Sequence, residues 1–504
     1  MTLHRREFLR RLAAGGALVA APALLPGCAT QGPTEVVATP ALDNPFTTWF
    51  GLDESSVNRV MSALCANGAD IADTFFELAS SHRIVYENGE IRSAEADTRQ
   101  GAGLRVVRDG AVEFAVTEAL DLESLLHTAT TVARGAPQAA PWMARLVATR
   151  DLYPVVVPWT DVTQADKLRV LQDVEARARA ADPGVESVAM RWEDVEQTIM
   201  IATLDGQVVT DVRPLARLSL VVTAAKGDVR QTGFSSVAAR SGPEWYTQDR
   251  IDTLVREAVD RALVQFEARR APTGEMPVIL AAGTGGVLLH EGLGHCFEAD
   301  LVGNSDFAGQ LGNKVAESFI TIVDDAHMAS EPGALNVDDE GAATGRNVLV
   351  ENGMLSGLLQ DRRSALANGV APTGSGRRES FRHLPMPRMS CTVMADGPHS
   401  RDEIIAAVKD GVIVETLSGG RAELGQGGFR FDVKNGWIVE DGKITAPTKD
   451  FTIEGNGPDM LRNITMAASD SRMDAGGWLC GKNGQTVPVS QGMPTVLVSS
   501  LKVG

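Results

Sequence analysis

His290-Glu291-Gly292-Leu293-Gly294-His295 brackets one carboxylate with two imidazoles, the minimum kit for metal-assisted hydrolysis. In the familiar HExxH helix the two His lie four apart, about 40° round the axis, so both reach one metal while the Glu activates its water. Here the spacing is five, which sets the two rings roughly 140° apart on a regular helix. Binding one metal then requires local unwinding or a π-bulge. Gly292 and Gly294 make such distortion cheap, because glycine is a poor helix former and tolerates unusual backbone angles. The stretch reads as a distorted metal-binding helix.

Working outward, the apolar run at 277–280 leads as a strand into this stretch. Before it, residues 249–268 carry the spacing of a long amphipathic helix that Pro272 breaks, which places a domain boundary near residue 271. Upstream, a helix is expected over 54–66. Antiparallel strands follow over 74–79, 84–86, 103–107 and 112–116, with Glu87-Asn88-Gly89 and Asp109-Gly110 as turns. Helices over 122–133 and 164–181 and a strand group over 187–223, turned at Asp205-Gly206, complete that half. Downstream, Glu351-Asn352-Gly353, Asp410-Gly411, Lys434-Asn435-Gly436 and Asp441-Gly442 read as turns between apolar runs at 348–350, 412–414, 437–439 and 495–498. A helix over 401–409 takes Ser400 as its N-cap. The fold class is therefore α+β in two domains, a mixed N-terminal domain over 54–270 and a mainly antiparallel β C-terminal domain over 271–504.

Residues 1–28 read as an address rather than fold. Arg5 and Arg6 ahead of Phe8 and Leu9 resemble a twin-arginine export signal, and the apolar run at 12–25 is too short and too interrupted to span a bilayer. Leu25-Pro26-Gly27-Cys28 resembles a lipobox, with Cys28 as the lipidated residue; plain cleavage without lipid is the alternative. A Pro-, Thr- and Ala-rich tether over 29–53 follows. These features point to an exported, periplasmic protein, attached to a membrane only through a lipid on Cys28.

The net charge is −18, and removing the leader takes it to about −21, which argues against nucleic acid as a partner. Hydrophobic content of 44% with 22% charged residues is ordinary globular composition, and 50 glycines suit a turn-rich, strand-rich chain. Besides Cys28 there are Cys65, Cys296, Cys391 and Cys480, with no recognisable disulfide spacing; Cys65 and Cys391 read as small buried hydrophobes.

An ordered series of segments resembles the TldD/PmbA family of zinc metallopeptidases, in its TldD-like catalytic branch. It comprises Gly286-Val287-Leu288-Leu289-His290-Glu291, Asp338-Asp339-Glu340-Gly341, Pro372-Thr373-Gly374-Ser375-Gly376-Arg377-Arg378-Glu379-Ser380, His383-Leu384-Pro385-Met386-Pro387-Arg388-Met389 and Cys480-Gly481-Lys482-Asn483-Gly484-Gln485. The likeness is strong over 280–504 and more diffuse over 55–270. It implies a two-domain protomer that dimerises, with itself or with a homologous chain, round an enclosed chamber. The export leader departs from the usual family member.

Catalytic zinc keeps three protein ligands and one open position. His290 and His295 supply two; the resemblance maps the third onto Cys480, while Cys296 is the sequence-local rival, although adjacent residues seldom point at one ion. Glu291 is the expected base that activates water and returns the proton to the leaving amine. Glu298 and Asp300 lie where a carboxylate could hold the far N–H of a ligand imidazole, or be solvated charges. Arg377 and Arg378 are candidates for binding a peptide carboxylate or for bracing a loop or dimer contact. Asp338, Asp339 and Glu340 read as turn or interface charges, and His82, His127, His327, His383 and His399 carry no assigned chemistry.

The function these readings support is a zinc-dependent peptidase, one ion per chain, acting on small or unfolded peptides in the cell envelope. A non-catalytic zinc-containing chamber or binding subunit, and an amidase acting on peptidoglycan peptides, are the competing readings.

Overall fold

The computed structural model describes residues 44–134 and 142–504, so the leader and most of the tether lie outside the described residues. Residues 44–53, read as tether, belong to the folded part. Asn44 caps the short helix Pro45–Phe50 by accepting from the Phe46 N–H, and Phe46 is fully buried against Phe50 and Phe76. Among the described residues no helix is long and apolar enough to cross a membrane. Cys65, Cys296, Cys391 and Cys480 are all buried free thiols.

The architecture is two-domain α+β, a mixed N-terminal domain and a largely β C-terminal domain. The N-terminal sheet is built on long antiparallel strands, Ile71–Glu87, Glu90–Arg108, Val185–Thr203 and Gln207–Lys226. The two expected strands at 74–79 and 84–86 are one. The polar run Ser80-Ser81-His82-Arg83 continues the ladder because it is paired on both sides, and backbone pairing does not depend on apolar side chains. Alternation sends Phe76 and Ile84 to one face and Phe75 to the other.

Helices cover the Phe76 face in two places. Glu54–Leu64 and Leu122–Ala133 pack over Phe76 and Leu104, and Gln164–Ala181 and Gln248–Val264 pack over Trp192 and Leu218. Caps explain where three of these helices begin: Asp53, Asp121 and Thr163 each accept a backbone N–H of the first turn.

In the C-terminal domain five strands close into a ring: Asp410–Ala422, Gly274–Leu280, Val496–Val503, Phe451–Asn456 and Gly428–Glu440, the last pairing back onto the first. Its interior includes Val278, Leu280, Val412 and Val414, and Leu289 and Leu293 from the His290 segment plug the same core. A separate mixed sheet contains Cys391–Met394 and Gln485–Met493 in parallel, with Trp478–Lys482 hydrogen-bonded to the latter. Lys434-Asn435-Gly436 is not a turn, as its composition suggests, but the interior of the strand Gly428–Glu440. Asn435 is satisfied there by Thr416 and the Arg261 carbonyl, and a Cβ at Gly436 would sit 2.5 Å from the Ile413 oxygen, so close packing explains the glycine.

The domains meet across buried charges. Arg105 of the N-terminal sheet donates to Asp73 at 2.7 Å and to Glu340 at 2.6 Å; Arg213 donates to Asp211 at 2.9 Å and Asp339 at 2.5 Å; Arg378 crosses back to Asp73 at 2.8 Å. Phe75, Ile199 and Ile201 pack beside them against Val337 and Phe381. The acidic run 338–340 is thus an interface device. Removing one partner of a buried ion pair leaves an uncompensated charge, so Arg105→Met should lose about 3–5 kcal/mol of stability in chemical denaturation, and a loss below about 1 kcal/mol would contradict this reading.

Candidate metal centre

No regular helix carries the two His. Gly286–Leu288 makes one α turn, Leu289–Leu293 a π turn and Gly294–Phe297 a 3-10 turn, so His290 and His295 sit in differently wound segments. The glycines serve packing rather than unusual backbone angles. Gly294 has φ −55° and ψ −43°, but a Cβ there would lie 2.0 Å from the Met389 sulfur. Gly292 leaves room for Phe429, and a Cβ at Gly457 would come within 1.8 Å of the Gly292 oxygen.

With the backbone wound this way, the two imidazoles meet edge to face at a centroid distance of 5.2 Å and an interplanar angle of 82°. Cys480 arrives from the hairpin of Trp478–Lys482 with Gln485–Met493, whose turn residues Asn483 and Gly484 both have positive φ, as a tight hairpin requires. Its sulfur lies 3.4 Å from His295 Nε2. Donor atoms of His290, His295 and Cys480 all lie within 4.8 Å of one another, and all three residues are buried.

The rival, Cys296, points elsewhere. Its sulfur faces the carbonyls of Gly292 and Gly425, and burial pushes its thiol up to about 12.

The surrounding groups orient the cluster. His295 Nδ1 meets Glu298 Oε2 at 2.8 Å, which turns Nε2 towards the sulfur. The Lys482 ammonium donates to Glu298 at 2.9 Å, to Asp300 at 2.7 Å and to the Pro387 carbonyl at 3.0 Å. Arg388 donates to the Cys480 carbonyl at 2.6 Å. For Cys480, His295 and Glu298 burial opposes charge and is outweighed by neighbours, whereas for Asp300 burial prevails over Lys482 and raises the carboxyl. It would raise the Cys480 thiol, but His290 and His295 bring it down to about 4; it would lower His295, but Glu298 and Cys480 raise it to about 10. Glu298, which burial would raise, is held at about 2 by His295, Lys482 and Arg388.

His290 supplies the test of fit for a metal. Both its ring nitrogens are buried without a hydrogen-bond partner, a state that costs about 1–3 kcal/mol per group unless something else binds there. Two imidazoles and a thiolate are a zinc donor set. Glu291 stands at the solvent edge, its side chain 23% exposed and its Oε2 3.9 Å from His295 Nε2.

Arg377 and Arg378 lie buried with in-chain partners. Arg377 donates to the Met389 and Pro488 carbonyls at 2.6 and 2.7 Å, and Arg378 reaches Asp73 and the Asp339 carbonyl. Of the two roles open to them, bracing matches these contacts. Lys482 and Arg388 are the residues that sequence reasoning missed. For Lys482 a signal existed, since it lies two residues beyond Cys480 and so shares its face of the strand.

The chain matches the PmbA/TldA metallopeptidase pattern in three parts: domain 1 over residues 72–136, the central domain over 157–266 and the C-terminal domain over 273–504. A metalloprotease TldD homolog of Haemophilus influenzae is 35% identical, over 92% of this chain and 98% of its own. A metalloprotease of Methanothermobacter thermautotrophicus is 31% identical, over 86% and 95%. Among solved structures, TldE from Thermococcus kodakarensis shares the fold at a TM-score of 0.68 and 20% identity, over 89% of this chain and 99% of that one. Carrying the family pattern from domain 1 to its C-terminus, and matching TldD homologs over nearly their whole length, this chain belongs to the PmbA/TldD metallopeptidase family.

Proposed function

We propose that the protein is a zinc-dependent peptidase that hydrolyses peptide bonds of small or unfolded peptides, with one ion held by His290, His295 and Cys480. The observation that carries this reading is the buried three-donor cluster in which His290 has no other partner. Zinc bound there supplies Lewis acidity towards a peptide carbonyl and lowers the pKa of water. The irregular winding of residues 286–297 is what would let His five apart serve one ion.

The chain's own residues supply the rest. Glu291, at the solvent edge beside His295, takes a proton from water and returns it to the leaving amine, so one carboxylate serves both half-steps. Glu298, fixed by Lys482, holds the His295 tautomer. The leader read from residues 1–28 puts this activity in the periplasm, with Cys28 as the site of any lipid anchor. Family membership supports a dimer with a second copy or with a homologous chain.

Metal analysis with a peptide-cleavage assay tests the assignment. His290→Ala and Cys480→Ser should lose zinc, whereas Glu291→Gln should keep zinc and lose about 10²–10⁴-fold in turnover. Undiminished turnover in Glu291→Gln would leave a zinc-containing binding subunit as the better description. Lys482→Met should weaken zinc about 10–100-fold in competition with a chromophoric chelator, and unchanged affinity would remove Lys482 from the account.

A further inference from the structure

The strand that delivers Cys480 is interrupted just before it. Arg472–Met473 and Trp478–Lys482 both pair antiparallel with Gln485–Met493, Met473 opposite Gly492 and Trp478 opposite Val489. Four residues, Asp474 to Gly477, therefore stand against two, Ser490 and Gln491. A bulge of this kind bends the longer side away and leaves part of its backbone outside the ladder.

The excursion lands on the other domain. The Ala475 carbonyl accepts the N–H of Ala238, in the strand Val229–Ala239 of the N-terminal sheet, at 2.9 Å. Gly476 and Gly477 are buried at this contact with no room for a side chain. A Cβ at Gly476 would run into the Ser236 hydroxyl and lie 3.5 Å from Ser236 Cβ; one at Gly477 would lie 2.7 Å from Pro332 Cγ and 3.5 Å from Ala238 Cβ. The loop is also braced from within. The Asp474 N–H donates to the Gln491 carbonyl at 2.9 Å, and the Asp474 carboxylate accepts the Gly476 N–H at 2.9 Å.

Beyond the excursion lies the metal centre. Trp478, its first residue, packs with Val487 and Val489 beside Cys480, which follows two residues on along the same face. Two of the three donors, His290 and His295, are set by the core of the C-terminal domain. The third sits on a short strand that, among the described residues, pairs with one neighbour only, and whose ends are held by Lys482 and by the loop on the N-terminal sheet. A slip of one residue would carry the sulfur about 3.3 Å and turn it to the opposite face. Metal–ligand distances tolerate only about 0.2 Å, so a far smaller shift at Gly476 is enough to matter.

We infer that the contact of Gly476 with Ser236, together with the hydrogen bond from Ala238 to Ala475, positions Cys480, so that docking of the N-terminal sheet sets how tightly the metal is held. Gly476 and Ser236 act through Cys480 and are positioning residues. This rests on the three-donor metal assignment and does not require peptide cleavage.

The test uses the full-length protein with two readouts. Competition with a chromophoric chelator gives the zinc affinity, and the sulfur-to-metal charge-transfer band of the cobalt-loaded protein reports the Cys480 thiolate itself. Gly476→Ala should weaken zinc about 10-fold and reduce the band. Ser236→Ala, which removes the hydroxyl that the new methyl meets, should change little alone and restore both readouts in Gly476→Ala. Zinc binding unchanged in Gly476→Ala, or a loss that Ser236→Ala does not restore, overturns the proposal; so does a loss of stability in chemical denaturation with the affinity unaltered. Should Gly476→Ala fail to fold, Ser236→Val, which adds bulk from the sheet side of the same contact, should weaken zinc in the same direction, and unchanged affinity there overturns it equally. A wild-type protein that shows the band and this pattern but cleaves no peptide would defeat the peptidase reading and leave the positioning standing. A wild-type protein without the band would defeat the ligand assignment and the positioning with it.

Discussion

Three donor atoms withdrawn from water, within 4.8 Å of one another, set the constraint that the rest of the C-terminal domain serves. The Cys480 sulfur has His295 as a partner, but His290 is buried with neither nitrogen hydrogen-bonded, a cost that an ion bound by the three would offset. The strand ring holds Leu289 and Leu293 in its core and so fixes the turn that bears His290 and His295. The hairpin brings Cys480 from nearly two hundred residues downstream, and Lys482 locks the two parts together through Glu298 and Asp300. Arg388 clamps the Cys480 carbonyl to the same frame.

The second constraint lies at the domain junction. Asp338, Asp339 and Glu340 are buried, and each is balanced by guanidinium groups or backbone N–H groups rather than by water. Asp338, which burial and Glu340 push up to about 7, accepts three backbone N–H bonds instead of an ion pair. Such a junction is stable only in one register. That register also sets Arg217 of the N-terminal sheet beside Trp478 and Leu479 of the strand carrying Cys480.

Much of this was legible in the sequence wherever the determinant is local. Helices Leu122–Ala133 and Gln164–Ala181 begin at their capping residues and follow their apolar spacing to the end. The His-Glu-His stretch, its departure from regular helical geometry and a capped helix after Ser400 are likewise short-range facts. What escaped is long-range. Lys434-Asn435-Gly436 has turn composition but is held in a strand by Thr416 and Arg261, and no local signal reports the parallel contact of Gly274–Leu280 with Asp410–Ala422 that helps close the ring. The glycines of the metal segment suggest flexibility by composition, whereas Met389 and Phe429 show that they make room.

X-ray absorption at the zinc edge of the metal-loaded protein examines the atoms round the ion directly. A four-coordinate shell is expected, with two nitrogens at about 2.0–2.1 Å and one sulfur at about 2.3 Å. A shell of nitrogen and oxygen alone would contradict it, because the Cys480 thiolate would then not be a ligand.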